Sequence, residues 1–87
     1  MWSVYRTEPF LKDVQGLRKN HELLRELDDK MKRLLENPLA VGGDLAGNLH
    51  GKRSTRLAGK FRLIFKIDVD QKIVYLLVLE HRGSVYG

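Results

Sequence analysis

The chain has 87 residues, 16 of them Lys or Arg and 11 Asp or Glu, with no cysteine and a formal net charge of +5. That length holds one domain, residues 1–87, with a modest core and room for one site or one interface. Without cysteine there is neither a disulfide framework nor a thiolate metal centre, and three scattered histidines lack metal-ligand spacing, so neither metal nor cofactor is expected.

"WSVYR" alternates and is rich in β-branched and aromatic residues, which predicts a strand over residues 2–6. Thr7 then stands as a helix N-cap with Pro9 in the first turn. Phe10, Val14 and Leu17 follow at helical spacing, and this helix should end near Arg18. A second helix, from about Asn20 to Glu36, carries Leu23, Leu24, Leu27, Met31, Leu34 and Leu35 on one face. Glu22, Glu26, Asp29, Lys32 and Arg33 take the other, and Asn37-Pro38 stops it. The two helices form a hairpin, and the Leu/Met stripe is core rather than a cofactor box.

"LAVGGDLAGNLHGK" reads as a glycine-rich connection without a phosphate-cradling pattern. From Arg53 the period becomes two. "RSTRL" and "FRLIFKI" flank "AGK" as a hairpin, and "KIVYLLVLE" returns as a last strand after the turn "DVDQ". The fold class is therefore α+β: an N-terminal strand, a two-helix hairpin, then a three-stranded antiparallel meander completing one small twisted sheet. The last strand, apolar almost throughout, should be central and covered on part of both faces.

Charge is uneven along this frame. Residues 1–36 hold eight bases and seven acids, whereas residues 37–87 hold eight and four. Between Lys52 and Lys66 lie Lys52, Arg53, Arg56, Lys60, Arg62 and Lys66, with no acid. Such a field suits a polyanion such as RNA, DNA or an acidic protein segment; the plain alternative is a solvated basic face. A three-residue loop at Ala58–Lys60 would set Arg56 opposite Arg62 on one face, an unfavourable like-charge pair that calls for an anion between them. The chain closes on "LVLEHRGSVYG", which would bring His81 and Arg82 to the sheet end beside that pair, with Tyr86 following. Bland roles stand beside these: an ion pair of Arg62 with Glu80, a strand-end hydrogen bond for His81, an apolar lid for Tyr86.

"NLHGKRSTRLAGKFRLIF" and "LEHRGSVY", in this order and spacing, resemble the RelE/ParE superfamily of toxins from prokaryotic toxin–antitoxin pairs. The resemblance covers nearly the whole chain and implies a RelE-like fold. For RelE-type members it implies a ribosome-dependent endoribonuclease that cuts mRNA in the decoding site. The reaction is a metal-independent attack of the ribose 2′-OH on the adjacent phosphate, and it inhibits translation.

On that resemblance Arg62 neutralises the phosphoryl oxygens while Arg56 and Arg82 clamp or orient the phosphate. His81 is a candidate acid or base, because an imidazole titrates near neutrality. Tyr86 is better cast as a stacking platform or hydrogen-bond donor, since a phenol holds its proton at that pH. Lys52, Arg53, Lys60 and Lys66 would contact the RNA backbone.

The implied partners are a cognate RelB-like antitoxin, forming a possible toxin–antitoxin heterotetramer, and the ribosome with its mRNA. No run is long enough for a signal peptide or a bilayer crossing, so no membrane partner and a cytoplasmic location are expected. ParE-type relatives, which act on DNA gyrase, and a non-catalytic nucleic-acid-binding module are the alternatives.

Overall fold

The computed structural model describes residues 1–44 and 51–81. Strand β1 (Ser3–Arg6) leads into helix α1 (Glu8–Gly16), and helix α2 (His21–Glu36) follows after a short turn. A 3-10 turn at Pro38–Ala40 and a two-residue strand β2 (Gly43–Asp44) precede β3 (Lys52–Leu57), β4 (Phe61–Asp68) and β5 (Ile73–His81). The five strands form one sheet in the order β1-β5-β4-β3-β2, antiparallel except for the parallel pairing of β1 with β5.

The alternating residues found in the sequence build the core. Leu57, Phe61, Leu63, Phe65, Val74, Leu76 and Leu79 leave one sheet face and meet Phe10, Leu23, Leu27 and Leu34 from the two helices. Each buried leucine contributes roughly 1.5–3 kcal/mol relative to exposure, so this single layer carries most of the apolar burial. Leu35, expected in the stripe, is 45% exposed, because it lies past the edge of the arc that reaches the sheet.

Capping is divided between helix and sheet. Asn20 accepts from the Leu23 N–H at 3.1 Å and starts α2 as an N-cap. Thr7 occupies the N-cap position of α1 but makes no side-chain cap there. Its hydroxyl instead donates to the Leu76 carbonyl at 2.6 Å, and its own N–H reaches the same carbonyl at 3.2 Å. Beyond the end of β1, Asp13 on α1 accepts from the Leu79 N–H at 2.9 Å, so a helix side chain takes over where the parallel partner stops.

Two features depart from the sequence expectation. The glycine-rich connection contains β2, a fourth strand contiguous with the meander, which pairs Gly43 with Ser54 and Asp44 with Arg53. And β5 lies inside the sheet between β1 and β4, yet the helices cover only one of its faces. On the other face Ile73, Tyr75, Leu77 and Val78 are half-buried.

The β4/β5 register carries a bulge that sets the end of the molecule. Ile64 pairs with Val78 and Phe65 with Leu76, leaving Leu77 as the extra residue. An extra residue inverts the alternation beyond it. Leu79 therefore enters the core, Glu80 faces the open side, and His81 faces the helix side.

Candidate functional site

The hairpin joining β3 to β4 places the basic residues. Ala58 and Gly59 both take positive φ, +50° and +70°, which closes the three-residue loop and sets Leu57 opposite Phe61. The Ala58 N–H is held by Glu26 Oε1 of α2 at 3.0 Å, which ties the hairpin tip to the helix layer. From this register Arg56 pairs with Arg62, Ser54 with Ile64 and Lys52 with Lys66, all on the face opposite α1 and α2.

Arg62 and Glu80 are also directly paired, so three adjacent strands carry a row of Glu80, Arg62 and Arg56. Arg62 Nε donates to Glu80 Oε1 at 2.9 Å, and its Nη2 donates to the same oxygen. The side chains are 38% and 28% exposed. The anion that the like-charge pair demanded is therefore supplied on one side from within the chain. Arg56, by contrast, is exposed and has no ion-pair partner among the described residues. Arg56 and Arg62 line a cavity of about 340 Å³ together with Gly42, Ser54 and Thr55.

Gly42 completes that cavity. Its φ is +63°, and a Cβ there would stand 2.0 Å from the Ser54 carbonyl oxygen. Only glycine allows the chain before β2 to lie this close to β3.

Not every expected base belongs to this face. Arg53 is only 16% exposed and is committed to the fold: Nη1 donates to Asp44 Oδ1 at 3.1 Å, while Nη2 donates to the carbonyls of Val41 at 3.1 Å and Leu39 at 3.2 Å. It pins the segment before β2 against β3 and does not join the Arg56/Arg62 row. Lys52, Lys60 and Lys66 are exposed.

His81 is likewise not delivered beside Arg56 and Arg62. It pairs with Phe61 and meets that ring edge-on, with centroids 4.9 Å apart and an interplanar angle of 86°, on the helix side of the sheet. The bulge at Leu77 causes this reversal. Arg82 and Tyr86 lie outside the described residues. Among the described residues no group of three or more His, Cys, Asp or Glu could hold a metal ion, and no helix is long and apolar enough to cross a membrane.

The arrangement suits recognition of a phosphodiester: one unpaired guanidinium, one oriented guanidinium, a concave floor of backbone and hydroxyl groups, and flanking lysines. Glu80 and the glycine before β2 are the site residues that reading for basic clusters did not select. Gly42-Gly43, two glycines ahead of a basic strand, is the available signal for the second.

Comparison with known proteins bears on this site. Residues 4–86 match the family model of the ParE toxin of the type II toxin–antitoxin system parDE. Toxin RelG of Mycobacterium tuberculosis is 38% identical over 53 residues, which is 61% of this chain and 60% of that protein, so the chain spans about three fifths of this curated relative. Among solved structures, the toxin–antitoxin complex RelBE2 of Mycobacterium tuberculosis contains a similar chain with a TM-score of 0.79 and 30% identity, covering 93% of this chain and 98% of that one. The Escherichia coli DinJ–YafQ toxin–antitoxin complex matches with a TM-score of 0.78 at 21% identity, over 99% of this chain and 98% of that one, a likeness of fold alone.

Proposed function

This chain belongs to the ParE-toxin family of type II toxin–antitoxin systems, within the RelE/ParE superfamily, and from that premise we propose that it is a ribosome-dependent endoribonuclease that cuts mRNA in the decoding site and so inhibits translation. The observation that carries this reading is the Arg56/Arg62 pair at a cavity on the uncovered sheet face. In-line attack of a ribose 2′-OH accumulates charge on the non-bridging oxygens, and preoriented guanidinium groups stabilise that charge more than the ground state. Arg62, held from behind by Glu80, neutralises the phosphoryl oxygens. Arg56 clamps the phosphate from the adjacent strand. Lys52, Lys60 and Lys66 bind the backbone, and the resemblance assigns Arg82 to the phosphate and Tyr86 to stacking or hydrogen-bond donation. No step in this scheme calls for a metal or cofactor.

A RelB-like antitoxin is the proposed partner, an extended chain bringing apolar anchors to the helix layer and acids to the basic face, in a toxin–antitoxin heterotetramer. A similar chain, 30% identical, occurs in a solved toxin–antitoxin complex, which supports an antitoxin partner.

The test is primer extension on a message translated in a purified system, with wild type, Arg62→Ala and a no-ribosome control. Ribosome-dependent cuts that fall by about 10²–10³-fold in Arg62→Ala support the reading, the size being that of losing one oxyanion-stabilising donor. An uncut message overturns it and directs the next assay to gyrase-dependent DNA breaks, the activity that the ParE-type alternative implies.

A further inference from the structure

We propose that Glu80 is the general base of the reaction, accepting the proton of the attacking 2′-OH; this inference rests on the ribonuclease reading and deepens it.

Three observations carry it. First, the row Glu80, Arg62, Arg56 puts a carboxylate and two guanidinium groups on neighbouring strands of one face. Adjacent strands are about 4.8 Å apart, so a phosphate held by Arg62 keeps its neighbouring ribose within reach of the Glu80 side chain. Second, both hydrogen bonds from Arg62 fall on Oε1. Among the described residues Oε2 receives no hydrogen bond, so one oxygen orients the guanidinium while the other is open to an O–H donor. Arg62 in turn spends its Nε edge on Glu80 and keeps its outer edge for phosphate.

Third, among the described residues the rest of the face offers no rival at this position. Lys52, Lys60 and Lys66 are ammonium donors rather than acceptors. His81 faces the helix side against Phe61. Asp68, six residues along β4 from Arg62, lies about 20 Å away at strand rise, and its Oδ1 accepts from the Gln71 N–H in the turn. The row also has a net charge of one positive unit, which matches a phosphodiester monoanion.

The step balances without a further reagent beyond water. The 2′ oxygen forms a bond to phosphorus and its proton passes to Glu80. The bond from phosphorus to the following 5′ oxygen breaks, leaving a 2′,3′-cyclic phosphate, and the departing oxygen takes a proton from solvent water. Glu80 then releases its proton to solvent.

The experiment follows single-turnover cleavage by the full chain on ribosomes programmed with a defined message. Alongside it, binding is measured to the same ribosomes carrying a 2′-deoxy nucleotide at the cut position. Glu80→Gln keeps the shape and an acceptor for Arg62, so binding should stay within about threefold of wild type. The saturating cleavage rate should fall at least about 100-fold, the usual size of a lost proton acceptor, and Glu80→Asp should recover at least about tenfold of that. Cutting by Glu80→Gln at or above the wild-type rate would mean that Glu80 only restrains Arg62, and would overturn the inference while leaving the ribonuclease reading intact. A loss confined to binding, or an equal loss in Glu80→Asp, would overturn it as well. Failure of the wild type to cut defeats the parent reading and this inference together.

Discussion

Arg62 has a carboxylate on one side and a second guanidinium on the other, a position compatible both with an ion pair in the fold and with the catalytic role proposed for it. Its ion pair with Glu80 is partly exposed, so it stabilises the fold by no more than about 1 kcal/mol. Arg62→Ala should therefore shift the denaturation midpoint little while lowering cleavage by about 10²–10³-fold, and comparing thermal melts with primer extension checks the separation. Gly42 presents the opposite balance. Gly42→Ala drives a Cβ into the Ser54 carbonyl at a positive φ, so it should destabilise by about 2 kcal/mol or more. Chemical denaturation would read that loss directly. The exposed Gly43 next to it has nothing within 4 Å of its virtual Cβ and serves as the control.

At the scale of elements, the two arginines of β3 do different work although they lie three residues apart. Arg53 joins Asp44 and the carbonyls of Leu39 and Val41 to the strand. Arg53→Met should cost about 2–3 kcal/mol of stability, as charged-group hydrogen bonds do, and leave the salt dependence of RNA binding unchanged. Arg56→Ala should do the reverse, with a near-native melt and a slope of log affinity against log salt reduced by about 0.7 for single-stranded RNA. Salt titrations of the two variants beside wild type decide it. If Arg53 carries the slope instead, its assignment to the fold is wrong. The helix layer also reaches the hairpin: Glu26 holds the Ala58 N–H, so Glu26→Ala should cost about 1 kcal/mol and speed hydrogen exchange at that amide.

Across the described residues, one sheet face meets the helices and the other carries the basic row uncovered by α1 or α2, which divides stability from recognition. An antitoxin that inhibits by charge complementarity must cover Lys52, Arg56, Lys60, Arg62 and Lys66 or displace the C-terminal end. In a purified toxin–antitoxin complex those residues should lose solvent accessibility to lysine- and arginine-directed reagents, and their full reactivity in the complex would contradict this mode of inhibition.

Much of this plan is legible along the chain because it depends on local periodicity. The spacing of Phe10, Leu23, Leu27 and Leu34 announces two amphipathic helices, and the period-two run from Thr55 to Phe65 announces the hairpin with Arg56 opposite Arg62. Those patterns are dictated by helix and strand geometry and do not depend on distant residues. The tertiary structure alone decided the rest. A single unpaired residue, Leu77, reverses the faces of Glu80 and His81, and nothing in an unbroken apolar run marks where a bulge will fall. Alternation along β3 already sends Arg53 and Arg56 to opposite faces; what only the tertiary structure decides is the approach of the Leu39–Asp44 segment, permitted by Gly42, which gives Arg53 its partners. Charge along a chain says how many bases there are, whereas their partners are chosen by strands and turns remote in sequence that close packing brings within a few ångströms.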